Sequence, residues 1–207
     1  MRRALALTIA ALAVFTVMAP VVAHGGTPSG CSTKKSAGGD WPMYGHDYGN
    51  SRFQDDESKI GTLQAAALQP AWVFAANNKG DFTGTPVEAD SCIFVGSNSG
   101  WVFALNADTG KVVWQTLIDK NGGIDSSAAV ADGRVFFTLS HVSQPSVFAV
   151  DERTGKLLWK TVQTDQKGSD VYSSPAVFDG MVIDTRTEAG LHFVDAPEVS
   201  ESEKTRS

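Results

Sequence analysis

Basic charge is scarce in this 207-residue chain, where 17 Lys and Arg stand against 23 Asp and Glu for a net charge of −6. Nucleic acids and anionic membranes require a basic patch, so no nucleic-acid partner is expected. Cysteine is rarer still, with only Cys31 and Cys92. The four histidines, His24, His46, His141 and His192, show no metal-ligand spacing. Gly-x-Gly-x-x-Gly, the P-loop, Gly-x-Ser-x-Gly and Cys-x-x-Cys-His are all missing. Their absence removes the sequence grounds for dinucleotide binding, a Walker-type site, a serine nucleophile elbow or attached haem.

What is present is a repeat. VFALNADTGKVVWQT at Val102–Thr116 returns as VFAVDERTGKLLWKT at Val147–Thr161, 45 residues later from Trp114 to Trp159. A period of this size fits one four-stranded blade of a β-propeller. Val102, Phe103 and Leu105 begin one β-branched and aromatic strand, and Val112 to Trp114 form the next. Between them, Asn106 or Asp151 can hydrogen-bond its own backbone two residues on, and the following Gly suits a short hairpin with a bulge. The Trp after each turn needs an apolar partner, which a neighbouring blade would supply.

These residues resemble the tryptophan-docking motif of quinoprotein propellers, the pyrroloquinoline quinone (PQQ) repeat, Ala-x-Asp-x-x-Thr-Gly-x-x-x-Trp. Ala149, Asp151, Thr154, Gly155 and Trp159 match throughout. Ala104, Thr109, Gly110 and Trp114 match with Asn106 in the Asp place. The resemblance implies an all-β, quinoprotein alcohol dehydrogenase-like β-propeller. The motif joins blades and does not touch the quinone. Residues 40–53, DWPMYGHDYGNSRF, resemble the opening segment of quinoprotein alcohol dehydrogenases and polyvinyl-alcohol-dehydrogenase-like proteins, through Trp41, Tyr44-Gly45-His46-Asp47 and Asn50-Ser51-Arg52. In that family the segment helps close the ring against the last blade.

Residues 1–23 read as an export signal: Arg2-Arg3, an apolar run to about Pro20, then small residues before His24. The run is short for a membrane span, for which about 20 apolar residues are needed. The paired arginines also fit a twin-arginine signal, though any basic leader has them. Residues 24–39 are rich in Gly, Ser and Thr and read as a disordered linker. Cys31 and Cys92 leave three readings open: a disulfide in an oxidising compartment, lipid anchoring at Cys31, or free thiols.

Residues 40–75 read as a closing segment, with a short surface helix within 55–68 and a Trp-bearing strand at 69–75 around Trp72. Residues 83–196 read as blades, two complete and a third starting at Ser173. Asp132-Gly133 and Asp179-Gly180, 47 residues apart, mark equivalent hairpins. After Asp195 the pattern fails, because Glu198, Val199 and Glu203 stand where Thr154, Gly155 and Trp159 stood. Residues 197–207 are polar and read as a disordered tail. An incomplete propeller is therefore expected, an N-terminal fragment or remnant of a ring of seven or eight blades. Its open edges predict marginal stability, and missing blades or another chain would have to close it.

A PQQ dehydrogenase needs a carboxylate base and a divalent ion, usually Ca²⁺, held by several converging oxygens. Both cofactors are implied here by the resemblance alone. Glu88, Asp119, Asp125, Asp170 and Asp184 are isolated candidates without a spacing that makes them converge, and the adjacent cysteine pair of many quinoprotein alcohol dehydrogenases is absent. The first reading is an exported dehydrogenase fragment acting on an alcohol. The alternative is a non-catalytic envelope scaffold that binds proteins, like the barrel-assembly lipoprotein of outer membranes.

Overall fold

The computed structural model describes residues 30–31, 38–164, 170–185 and 191–195. Residues 1–23, read as an export signal, and residues 197–207, read as a tail, lie outside the described residues. Three antiparallel meanders follow one another along the chain. The first is β1 (Val87–Ala89), β2 (Cys92–Gly96), β3 (Trp101–Asn106) and β4 (Val112–Leu117). The second is β5 (Ala129–Ala131), β6 (Arg134–Leu139), β7 (Ser146–Asp151) and β8 (Leu157–Val162). The third holds β9 (Ala176–Phe178), β10 (Met181–Thr185) and β11 (Leu191–Asp195). These are the blades expected from the repeat.

Turn chemistry explains why each meander starts as it does. Asp90-Ser91, Asp132-Gly133 and Asp179-Gly180 join the first two strands of the three sheets, with φ of 49° and 61°, 52° and 71°, and 50° and 75°. Two successive left-handed residues match the right-handed twist of the flanking strands, as a two-residue hairpin requires. The alternation of side chains then gives each sheet two apolar faces, and the facing sides of successive sheets bury one another. Phe94, Val102 and Trp114 of the first sheet meet Val135, Phe137, Phe148 and Val150 of the second. Ala129, Phe136 and Ala149 of the second meet Val177 and Val182 of the third. Each fully buried Phe or Val contributes about 1.5–3 kcal/mol, so the joints between sheets form the core.

Two polar devices fix the stacking. Trp114 Nε1 donates to Glu152 O at 2.8 Å, and Thr116 Oγ1 donates to Gly155 O at 2.7 Å. Near the start of each sheet, Thr85 N donates to Ser127 Oγ at 2.8 Å, and Ser127 N donates to Ser174 Oγ at 3.0 Å. The same bond is thus made at both joints by residues in equivalent places.

Several expectations are corrected. Residues 69–75 form no ladder, although alternate residues from Trp72 to Ala76 are partly buried as in a strand. Trp72 is instead held by docking, its Nε1 donating to Ala107 O at 2.9 Å. The segment from Trp72 to Ala76 therefore covers the outer face of the first sheet, packing on Val95, Phe103 and Leu105. The helix shrinks to a single exposed turn, α1 (Thr62–Ala65). The opening segment does not reach only one blade. Trp41 bridges Glu88 on β1, Met43 bridges Ala129 on β5, and the Tyr48 hydroxyl donates to Val177 O on β9. Its alternating contacts seal the free edges of the short first strands. Cys31 and Cys92 form a disulfide across 61 residues, which fixes Cys31 against the first sheet and leaves it no thiol for a lipid. The linker reading of 24–39 is corrected at that residue.

The first joint also buries acid. Glu152 is 8% exposed in the β7–β8 turn, and burial pushes its carboxyl from the usual 4.5 up to about 7, helped by a hydrogen bond and like charge from Asp90 and by Asp151 and Asp40. The folded chain therefore holds this proton more tightly than the unfolded chain does. Its contribution to stability is fully present below pH 4.5 and is lost as pH rises through about 7. The loss is about 1–3 kcal/mol, the lower end reflecting solvent screening of a carboxylate at the rim of the joint. Thermal melts should show Glu152→Gln more stable than wild type at pH 8 and equal to it near pH 4. An equal difference at both pH values would refute this assignment.

Candidate functional site

The residues read as a docking motif bond one another within each turn. In the second sheet, Asp151 Oδ1 accepts from Thr154 N at 2.7 Å and from Thr154 Oγ1, while Gly155 N donates to Asp151 O at 2.8 Å. In the first sheet, Asn106 Oδ1 accepts from Thr109 N at 3.0 Å and Thr109 Oγ1 at 2.7 Å. Only a side-chain carbonyl oxygen is needed, so Asn106 replaces Asp without loss. Both hairpins carry a bulge next to the motif alanine, after Ala104 and after Ala149. Gly155, at φ 71°, lies flat under the Trp114 ring, where a Cβ would come within 2.4 Å of a ring carbon. Gly110 receives Trp72 in the same way. Trp159 differs: its Nε1 is buried and has no hydrogen-bond partner among the described residues.

A second constellation gathers where the sheets begin. Asp125 accepts from Thr83 Oγ1 at 2.8 Å and from Ser140 Oγ at 2.6 Å, and lies 2.9 Å from His141 Nε2. Asp170 lies 3.5 Å from His141 Nδ1 and accepts from His141 N at 2.9 Å and from the Tyr172 hydroxyl at 2.8 Å. The Tyr172 and His141 rings meet edge to face at 5.4 Å. The hydrogen bond to Asp170 pushes the Tyr172 phenol above its usual 10. Two of the five isolated carboxylates, Asp125 and Asp170, are thus brought together by a histidine. Glu88 lies on β1, Asp119 pairs with Lys160 at 3.8 Å, and Asp184 is buried on β10 opposite His192. His46 bonds Asp47 in the opening segment, and His24 lies outside the described residues.

Sequence reading missed Thr83, Ser140 and Tyr172. Thr83, Asp125 and Tyr172 each precede the Gly84-Thr85, Ser126-Ser127 and Ser173-Ser174 pairs, so they are equivalent residues of three blades. The period was the available signal, and their unlike chemistry hid it. The arrangement is a bridge. A general base needs a free nitrogen to take a proton, and here both ring nitrogens of His141 face carboxylates.

The PQQ_2 family model, described as outer membrane protein assembly factor BamB, matches residues 56–197, well over half of the chain. The chain belongs to this PQQ-repeat family. The PQQ-repeat chain is 27% identical over 143 residues to the dehydrogenase subunit of the quinone alcohol dehydrogenase of Gluconobacter oxydans, covering 63% of the chain and 19% of that protein. It is 29% identical over 89 residues to the outer membrane protein assembly factor BamB of Taylorella asinigenitalis, covering 43% of the chain and 23% of that protein. Its fold matches the quinohemoprotein alcohol dehydrogenase of Comamonas testosteroni with a TM-score of 0.65 at 23% identity, over 79% of the chain and 26% of that enzyme. The chain thus spans about a quarter or less of the length of these relatives.

PQQ is a flat tricarboxylate, and the described constellation presents it with two carboxylates whose acceptors are already engaged. Among the described residues, no group of three or more His, Cys, Asp or Glu side chains is placed to hold a metal ion. These residues by themselves fit neither group, and no chemical step is derived through either.

Proposed function

We propose that this chain is one arc of an exported, quinoprotein dehydrogenase-type propeller. It supplies blade joints and a sector of the rim, and it does not oxidise alcohols alone. The observation that carries this reading is the docking of Trp72 and Trp114 on successive Thr-Gly turns, in a chain 27% identical over 143 residues to a quinone alcohol dehydrogenase subunit. The alcohol and electron acceptor would be selected by other blades. Export would remove residues 1–23, leaving His24 at the amino terminus. Among the described residues, no helix is long and apolar enough to cross a membrane.

The test is titration of the purified chain with PQQ and Ca²⁺, followed by tryptophan fluorescence and dye-linked alcohol oxidation. The chain alone is expected to show neither saturable quenching nor turnover. Chelator-reversible quenching would overturn the arc reading, since it would reveal a complete site. In a chimera, residues 56–197 replace the matched segment of the Gluconobacter oxydans subunit. That chimera is expected to bind PQQ, and a folded chimera that does not would sink the dehydrogenase reading.

A further inference from the structure

We propose that two copies of this chain join head to tail, residues 69–75 of each completing the third sheet of the other as its fourth strand. The inference rests on the propeller architecture and not on dehydrogenase activity. Its two halves lie at opposite ends of the molecule. At one end, Trp72 docks on the turn at Gly110 as Trp114 docks on the turn at Gly155, through Nε1 bonds of 2.9 and 2.8 Å to the equivalent carbonyls of Ala107 and Glu152. Trp114 does this from β4, the outer strand of the preceding sheet. Residues 69–75 therefore already occupy the place of an outer strand, with the alternation of one, yet make no ladder. Val73, between the packed Trp72 and Phe74, is 87% exposed.

At the other end, the third sheet has β9, β10 and β11 among the described residues, where the first two sheets each have a fourth strand bearing a Trp. Among the described residues, nothing covers one face of it. Phe178 and Phe193 are 56% and 57% exposed, and the register sets Met181 opposite Phe178 and Ile183 opposite Phe193. In the second sheet, the places of Ile183 and Phe193 are taken by Phe136 and Ala149, both buried because the third sheet covers them. The open face is thus built to be covered by a following blade, and the sheet beside it accepts an outer strand.

A second copy supplies both at once. Its residues 69–75 are pinned to its own first sheet by Trp72, so bringing that segment to β11 also lays the first sheet over Phe178 and Phe193. Register follows from the other blades: Ala104 faces Trp114 and Ala149 faces Trp159, so Phe193 of one copy faces Trp72 of the next. The edge pairing is β-augmentation, main-chain bonds giving affinity and alternate side chains giving specificity. A head-to-tail contact closes only when its rotation does. The described residues of two copies bring together six sheets, within the usual ~4–8 blades of closed propellers.

The test is the mass of the exported chain by light scattering and sedimentation across a wide concentration range, with two variants. The wild type is expected to be a dimer. Val73→Pro blocks the strand and Phe193→Asp charges the open face, and each alone is expected to be monomeric, with dissociation strengthened at least 100-fold. Mixed together they should form a heterodimer, because one joint keeps both of its good halves. Circular dichroism matched to wild type confirms folding, and Phe178→Asp replaces Phe193→Asp should the latter unfold. A wild type that stays monomeric would overturn the proposal. So would a Val73→Pro variant that still dimerises, since this would mean face-to-face packing of the open sheets. Neither result bears on the PQQ titration.

Discussion

Trp114→Ala is expected to destabilise the chain by about 3–5 kcal/mol, the usual cost of deleting a large buried aromatic side chain. The midpoint of a thermal melt should fall by roughly 10 °C. Trp114 is 8% exposed, packs at the centre of the joint between the first two sheets, and anchors it by its bond to Glu152 O. Trp114→Phe should retain most of the packing and lose about 1 kcal/mol for the hydrogen bond. The informative control is Trp159→Ala. Trp159 is only partly buried and its Nε1 bonds nothing among the described residues, so its loss should cost less than half as much. Gly155→Ala should approach the Trp114→Ala result from the other side, because the new methyl would have to displace the indole. Equal costs at Trp114 and Trp159 would mean that docking is not what holds the blades.

Breaking the Cys31–Cys92 bridge is the other large expected effect. Its loop of 61 residues restricts the unfolded chain, and the loop-closure relation gives an upper value of ~4 kcal/mol, with 2–4 kcal/mol usual for such bridges. Cys31→Ser is the better variant, since Cys92 is fully buried in the first joint and its thiol would remain there. Urea melts with and without reductant should differ for the wild type and coincide for Cys31→Ser. A wild type indifferent to reductant would show that Cys31 adds nothing to the blade it touches.

How much of this was legible depended on whether the signal was local. The hairpins were, because Asp132-Gly133 and Asp179-Gly180 carry their turn geometry in two adjacent residues. The docking turns were too, because Asp151, Thr154 and Gly155 bond within themselves before any tryptophan arrives. Residues 69–75 misled for the complementary reason. Their strand-like alternation is real, but a ladder needs a neighbour, and the pattern of one segment cannot name it. The bridge at His141 was hidden further. Asp125, His141 and Asp170 come from three loops, and no composition or spacing announces that two turns will fold back on a third. Glu152 looked like an ordinary turn carboxylate. Its shifted titration arises first from burial in the joint, and then from Asp90 and Asp40, which lie far from it in the chain.

The amide of Thr85 reaching Ser127, and of Ser127 reaching Ser174, has a consequence for how such chains change over generations. Each link uses a donor from one unit and an acceptor from the next, both drawn from the same place in the unit. A duplication or excision of one whole period leaves every donor facing an acceptor, whereas one of half a period strands both. Unit number can therefore drift in whole steps without passing through a broken intermediate. Lineages built this way are expected to differ by intact modules, with their breakpoints falling at the same phase of the repeat.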